Sequence, residues 1–147
     1  MIRNGSVLSY ALVGLASAAL TAGALSFVHG VAAAQAPANT GTIPLLTQAL
    51  PDLPGREVRM TLLDRIPGNA SLPHRHPGHH TFGYVVQGQY ELGINGGPTK
   101  ILKAGDTFYE PPGALHSVSK NASATEQLKI VVFMVADASK PSTVNEP

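Results

Sequence analysis

The chain has 147 residues, with 10 basic and 9 acidic side chains, six histidines and no cysteine. That length makes one domain of ordinary size and not two. Near-neutral charge without a basic stripe makes nucleic acid a poor partner, and the lack of cysteine excludes disulfides, thiolate ligands and cysteine nucleophiles together.

In chain order, the first feature is a leader. Arg3 is followed by an uncharged run over 6–31 built largely of Ala, Leu, Val, Gly and Ser. Ala32-Ala33-Ala34 and Ala34-Gln35-Ala36 then place small residues at the spacing of a signal-peptidase site. Residues 1–34 are expected to be a signal peptide cut after Ala34, because a cut after Ala36 would leave Pro37 first. No Arg-Arg pair is present, which argues against a twin-arginine signal. The alternative is an uncleaved N-terminal membrane anchor, since about 20 apolar residues span a bilayer. Export, to the periplasm or the medium, is the expected localisation, with no stable membrane partner after cleavage. Residues 35–42 read as a linker, 43–137 as a β-barrel and 138–147 as a C-terminal tail.

Within the barrel segment short runs alternate with turn residues, and no helical period persists. Val58, Met60, Leu62 and Ile66 share a parity, as a strand with one buried face requires. Pro67-Gly68-Asn69 ends that run. Residues 81–92 are rich in aromatic and β-branched types, and Asn95-Gly96 is a strong hairpin signal. Short strands are expected at 100–103, 106–110 and 115–119, broken by Gly105-Asp106, a double proline and Asn121-Ala122-Ser123. Residues 128–135 alternate Leu128, Ile130, Val132, Met134 with Val131, Phe133, Val135, so both faces are apolar and both need cover. Residues 43–50 or a second subunit could supply it, and a homodimer is expected. The fold class is all-β, a sandwich or barrel.

The chemistry is concentrated in histidine. His74, His76, His79 and His80 lie within seven residues, and His116 follows Pro111-Pro112-Gly113. On a strand, His74 and His76 point to one face. Imidazole is the commonest protein ligand for borderline divalent metals. Gly68 stands six residues before His74; Gly105 leads through Pro111 and Gly113 to His116. These two stretches resemble the paired motifs of the cupin superfamily, approximately Gly-x5-His-x-His-x3–4-Glu-x6-Gly and Gly-x5-Pro-x-Gly-x2-His-x3-Asn. Gly88 matches the last position of the first motif, and Asn121 stands one place late in the second. The resemblance covers about 43–135 and is that of a small single-domain cupin of the type-2 conserved-barrel kind. It implies a jelly-roll β-barrel with a metal at its centre.

One departure bears on the ligand set. No acidic residue lies between His76 and Gly88, so the family's glutamate ligand falls on Thr81 or on His80, according to the spacing used. If Thr81 faces inward, so do Gly83, Val85 and Gln87; if His80 does, so do Phe82, Tyr84 and Val86. The second set is the more usual barrel interior, so His80 is expected as a fourth ligand beside His74, His76 and His116. A site of three histidines is the rival, and a bulge after Pro77-Gly78 would void the parity argument. His79 is expected to face solvent or to brace the ligands. Tyr84, Tyr90, Phe108 and Tyr109 read as packing or pocket wall. Glu110 and Glu91 are the nearest candidates for acid–base work, and no catalytic residue is assigned.

A neutral imidazole set suits a divalent transition metal: iron, zinc, manganese, nickel or copper. The resemblance implies a small metal-dependent oxygenase acting on a small molecule. A metal- or ligand-binding module and a metal-assisted lyase or isomerase are the alternatives.

Overall fold

The structure, a computed structural model, describes residues 41–147. The leader, whether signal peptide or anchor, and most of the expected linker lie outside the described residues. Ten strands follow one another: β1 Gly41–Ala49, β2 Arg56–Arg65, β3 His74–Arg75, β4 His80–Gln87, β5 Gln89–Ile94, β6 Lys100–Lys103, β7 Thr107–Glu110, β8 Leu115–Asn121, β9 Leu128–Asp137 and β10 Val144–Asn145. They form two five-stranded sheets, β1-β2-β9-β4-β7 and β10-β3-β8-β5-β6, in which every pair is antiparallel.

Local chemistry explains the corners. Asn95 and Gly96 both adopt left-handed backbone, as the hairpin signal requires, and Asn95 Oδ1 accepts the Leu115 N–H. Gly88 has φ of 82°, and a Cβ there would stand 2.5 Å from the Gln127 carbonyl oxygen, so only glycine fits between β4 and β5. Asn121, fully buried, donates through Nδ2 to the carbonyls of Arg65, Ile66 and Glu126 and accepts from Ser123 N–H. It fastens two loops and stands apart from the histidines.

β9 is the central strand of its sheet, and its inward residues Leu128, Ile130, Val132, Met134 and Ala136 are buried with Val85, Tyr90 and Leu92. Each of the Leu, Ile, Val and Met side chains among them contributes on the order of 1.5–3 kcal/mol by leaving water. The expected cover of the outer face by residues 43–50 is not found. β1 is an edge strand of the same sheet, paired with β2. It begins at Gly41, so Gly41 and Thr42 belong to the sheet and not to a linker. Val131, Phe133 and Val135 instead share an outer face with Phe82, Tyr84 and Tyr109, of which the last three are 41%, 49% and 47% exposed.

The tail is also ordered into the fold. β10 pairs with β3, Glu146 binds Arg75 at 2.5 Å, and the Glu146 N–H donates to the Pro73 carbonyl.

Candidate metal centre

His74 and His116 are direct partners in the β3–β8 register, so both rings leave the same face of the second sheet. His76 lies two residues on with the same parity. All three are buried, and each offers one nitrogen to a cluster in which the donor atoms lie within 4.8 Å of one another. The ring centroids are 5.0 Å apart for His74 and His76, and 4.7 Å for His74 and His116.

Each ring is oriented by its other nitrogen. His74 Nδ1–H donates to the Leu72 carbonyl at 2.8 Å, and His76 Nδ1–H donates to the Ser142 carbonyl at 2.5 Å. Both Nε2 lone pairs are thereby left free. His116 Nε2 is 3.0 Å from the Tyr90 hydroxyl, which is 2.9 Å from Ser119 Oγ. In the tautomer that frees His116 Nδ1, Nε2–H donates to Tyr90 and Tyr90 donates to Ser119. Burial holds the Tyr90 phenol well above its ordinary pKa, so its proton stays available for that bond. Burial also lowers the His74 pKa, keeping the imidazole neutral as metal ligation demands. Such outer bonds fix tautomer and ring angle.

The opposite wall comes from the first sheet. Thr81 of β4 and Glu110 of β7 are register partners, and both are buried. Glu110 Oε1 is 3.2 Å from His116 Nδ1, and Oε2 is 3.6 Å from His76 Nε2. Among the described residues the buried side-chain polar atoms lacking any hydrogen bond are Thr81 Oγ1, Glu110 Oε2 and His116 Nδ1. A buried, unpaired polar atom costs about 1–3 kcal/mol, more when charged, and all three belong to residues lining one cavity. Three oriented imidazole donors and an adjacent carboxylate suit a divalent transition metal.

His80 is not brought to this cluster. Its side chain lies on the outer face, where Nδ1 meets the Tyr109 hydroxyl at 2.8 Å and the rings stack. β4 turns the face opposite to the expected one toward the interior. Thr81, Gly83 and Val85 point inward, and Phe82, Tyr84 and Val86 point outward. The reason is a contact distant in sequence: the Phe108 ring fills the space over Gly83, where a Cβ would meet Cε1 and Cζ at 2.1 Å. Bulk from β7 replaces bulk from β4. His79 is neither solvent-facing nor in the cluster. It is fully buried, donates from Nε2 to the Pro141 carbonyl at 2.8 Å, and accepts the Asp137 N–H at Nδ1. Burial lowers its pKa too. Of the remaining candidates, Tyr90 and Phe108 line the cavity, whereas Tyr84 and Tyr109 face outward and Glu91 pairs with Lys120 at 4.0 Å.

Glu110 and the carbonyls of Pro141 and Ser142 join the surroundings of the histidines beyond the expected residues. For Glu110 a signal existed: it shares parity with Phe108 on β7, while the first motif holds no carboxylate. Backbone carbonyls leave no such trace.

The cluster opens onto a cavity of about 510 Å³. Leu63, Phe108, Val132 and Met134 give it apolar walls, and Thr61, Thr81, Tyr90 and Ser119 give it hydroxyls. A two-sheet antiparallel barrel with a buried triad of imidazoles beside a ligand-sized cavity defines a metal-binding β-barrel. The chain belongs to the cupin superfamily, and the family model described as "Cupin domain" matches residues 62–134. It is 36% identical over 90 residues to germin-like protein 5-1 of Oryza sativa subsp. japonica, covering 58% of this chain and 40% of that protein. With oxalate oxidase GF-3.8 of Triticum aestivum it shares 32% identity over 97 residues, covering 61% of this chain and 42% of the relative. The chain thus spans about two fifths of the length of the curated relatives it matches. A solved recombinant oxalate oxidase in complex with glycolate superposes with a TM-score of 0.55 at 26% identity, covering 73% of this chain and 56% of that one. A double-stranded β-helix protein from Klebsiella pneumoniae superposes at 0.58 with 21% identity, covering 76% and 90%, and speaks to the fold alone.

Proposed function

We propose that this protein is a small metal-dependent oxygenase or oxidase whose substrate is a small organic anion bound beside the histidine triad. The observation that carries this reading is the triad itself, oriented by outer hydrogen bonds and opening onto a cavity of about 510 Å³. That volume suits a small ligand. A divalent transition ion held there would polarise a substrate oxygen and, if redox-active, exchange electrons with substrate and dioxygen.

The chain's own residues do the rest. Leu63, Val132 and Met134 exclude bulk water from one side of the cavity. Arg65 stands on its wall, held by Asn69 and Ser71 and without an acidic partner among the described residues, so it favours an anion. The likeness to oxalate oxidases, one of them solved with glycolate, supports a carboxylate.

The test is to load purified protein with Fe(II), Mn(II), Ni(II), Cu(II) or Zn(II) and to follow oxygen uptake with small carboxylates, diketones and thiols. Uptake that requires a carboxylate and is lost in His76→Ala supports the reading. Absence of uptake with every metal and substrate class overturns it.

The uncharged run over 6–31 supports export, tested by N-terminal sequencing of protein from fractionated cells. The apolar outer face with Phe82, Tyr84 and Phe133 supports a homodimer joined there. Tyr84→Glu should then convert dimer to monomer in sedimentation equilibrium, and a monomeric wild type would overturn it.

A further inference from the structure

The sequence lacks the carboxylate that the family's first motif places on β4, yet a buried carboxylate meets the triad from another strand. We propose that Glu110 is a metal ligand, so that β7 supplies the carboxylate in place of β4 and the site holds three histidines and one glutamate. This rests on the reading of the triad as a metal centre and deepens it.

Three observations carry it. Glu110 is 2% exposed, and among the described residues no lysine or arginine pairs with it. A buried carboxylate needs a partner for each oxygen, and Glu110 Oε2 has no hydrogen bond. Among the described residues the ionisable side chains paired with it are His76 at 3.6 Å and His116 at 3.2 Å, whose facing nitrogens must present lone pairs to bind a metal. A cation between them resolves the conflict, because it lies against the carboxylate and the imidazole lone pairs together. The separations also agree. Donors sharing one ion at bond lengths of about 2.0–2.2 Å stand roughly 3–3.5 Å apart, close to both Glu110 distances.

Position 81 explains how the exchange is possible. Thr81 and Glu110 are register partners on adjacent strands, with side chains on the same face. Cβ atoms so paired stand about 4.5–5.5 Å apart. A carboxylate lost from one strand can therefore be replaced from its neighbour, the shorter Thr81 leaving room for it. Thr81 Oγ1 has no hydrogen-bond partner, and Thr81 lines the same cavity.

The consequence for the metal is specific. An anionic oxygen ligand favours harder ions, whereas a set of imidazoles alone favours zinc or copper. Glu110 therefore raises affinity for Mn(II) more than for Zn(II).

The experiment measures equilibrium affinity of metal-free protein for Mn(II) and Zn(II) by chelator competition, in wild type, His76→Ala, Glu110→Gln, Glu110→Met and the double variant Glu110→Gln/Thr81→Glu. Glu110→Gln is expected to lose at least thirtyfold for Mn(II) and clearly less for Zn(II). The double variant, which restores a carboxylate on β4, should regain most of the Mn(II) affinity. Glu110→Met removes charge and hydrogen-bonding capacity together at similar length, and it decides the matter in the same way should the glutamine variant not fold. If either Glu110 variant binds Mn(II) within twofold of wild type, the assignment of Glu110 fails. If His76→Ala also binds as wild type does, the metal centre itself fails.

Discussion

Glu110 reaches the histidines from β7, directly across from Thr81 on β4, and the two sheets thus contribute different donor types to one point. The imidazoles come from β3, β8 and the turn after β3, held by backbone carbonyls and a tyrosine. The carboxylate comes from the sheet that faces them. A centre built in this way depends on how the sheets stack as well as on each strand, and substitutions divide accordingly.

The first division is among the histidines. His74→Ala, His76→Ala and His116→Ala each remove one donor and should lower metal affinity at least a hundredfold. His80→Ala removes an outer-face contact with Tyr109 and should leave affinity within twofold of wild type. Metal content after dialysis against a weak chelator checks all four.

Tyr90 tests the outer hydrogen bonds. Tyr90→Phe keeps the ring and its packing on Phe108, 5.4 Å between centroids, and removes only the hydroxyl. His116 Nε2 and Ser119 Oγ then lose their shared partner in a buried place. The expected cost is about 1–3 kcal/mol of stability in urea unfolding, with metal affinity lower by roughly tenfold or more. A variant as stable and as tightly metal-binding as wild type would remove Tyr90 from the account.

Packing over the centre depends on Gly83. Gly83→Ala drives a methyl group into the Phe108 ring, and Phe108 must leave its place against Tyr90. A loss of about 1–3 kcal/mol is expected, as for other overpacked cores. Phe108→Leu vacates that space, so Gly83→Ala should cost less in its presence. The double-mutant cycle reads the coupling directly.

Much of this was legible in the chain. His74 and His76 two apart, His116 after a proline-rich turn, and the Asn95-Gly96 hairpin are local signals, and local geometry carries them into the fold. Which side of β4 faces inward was not legible, because period-two alternation gives two faces without saying which is covered. Phe82, Tyr84 and Val86 read as core, yet the interior was already filled by Phe108 from a strand some twenty-five residues away. His80 lies outward with them, whereas Glu110 stands at a strand end, where carboxylates are usually solvated, and its burial comes from the facing sheet. The tail read as a tail because its contributions come through the carbonyls of Pro141 and Ser142.

His74 and His79 contribute a pH dependence to the stability of the metal-free protein. Burial lowers both pKa values from 6.5. The unfolded chain therefore binds more protons than the folded one once pH falls below about 6.5. Stability is full above that value and declines as pH drops toward the lowered folded values. For His79 the cause is visible: protonating Nδ1 would break its bond with the Asp137 N–H. Urea midpoints measured at pH 8, 7, 6 and 5 should be flat between the first two and fall thereafter. His79→Gln should flatten part of the decline.

The C-terminal segment holds His76 and His79 through backbone carbonyls and adds no side chain to the histidine cluster. His76 Nδ1–H is held by the Ser142 carbonyl and His79 Nε2–H by the Pro141 carbonyl, while Arg59 donates to the Lys140 carbonyl and to Ser142 Oγ. Arg75 ties Glu146 down beyond them. A chain ending at Ser139 loses all of these at once and frees the His76 ring to rotate and to change tautomer. Removing an orienting partner of a metal-bound histidine typically costs 10–100-fold in affinity, and a loss in that range is expected here with all three imidazoles still present. Ser142→Ala is the control. It deletes the hydroxyl bonded to Arg59 but keeps the carbonyl that His76 uses, so its affinity should stay near wild type. If the truncated chain instead holds metal as tightly as the intact one, His76 is oriented by its own strand and the tail only shields it.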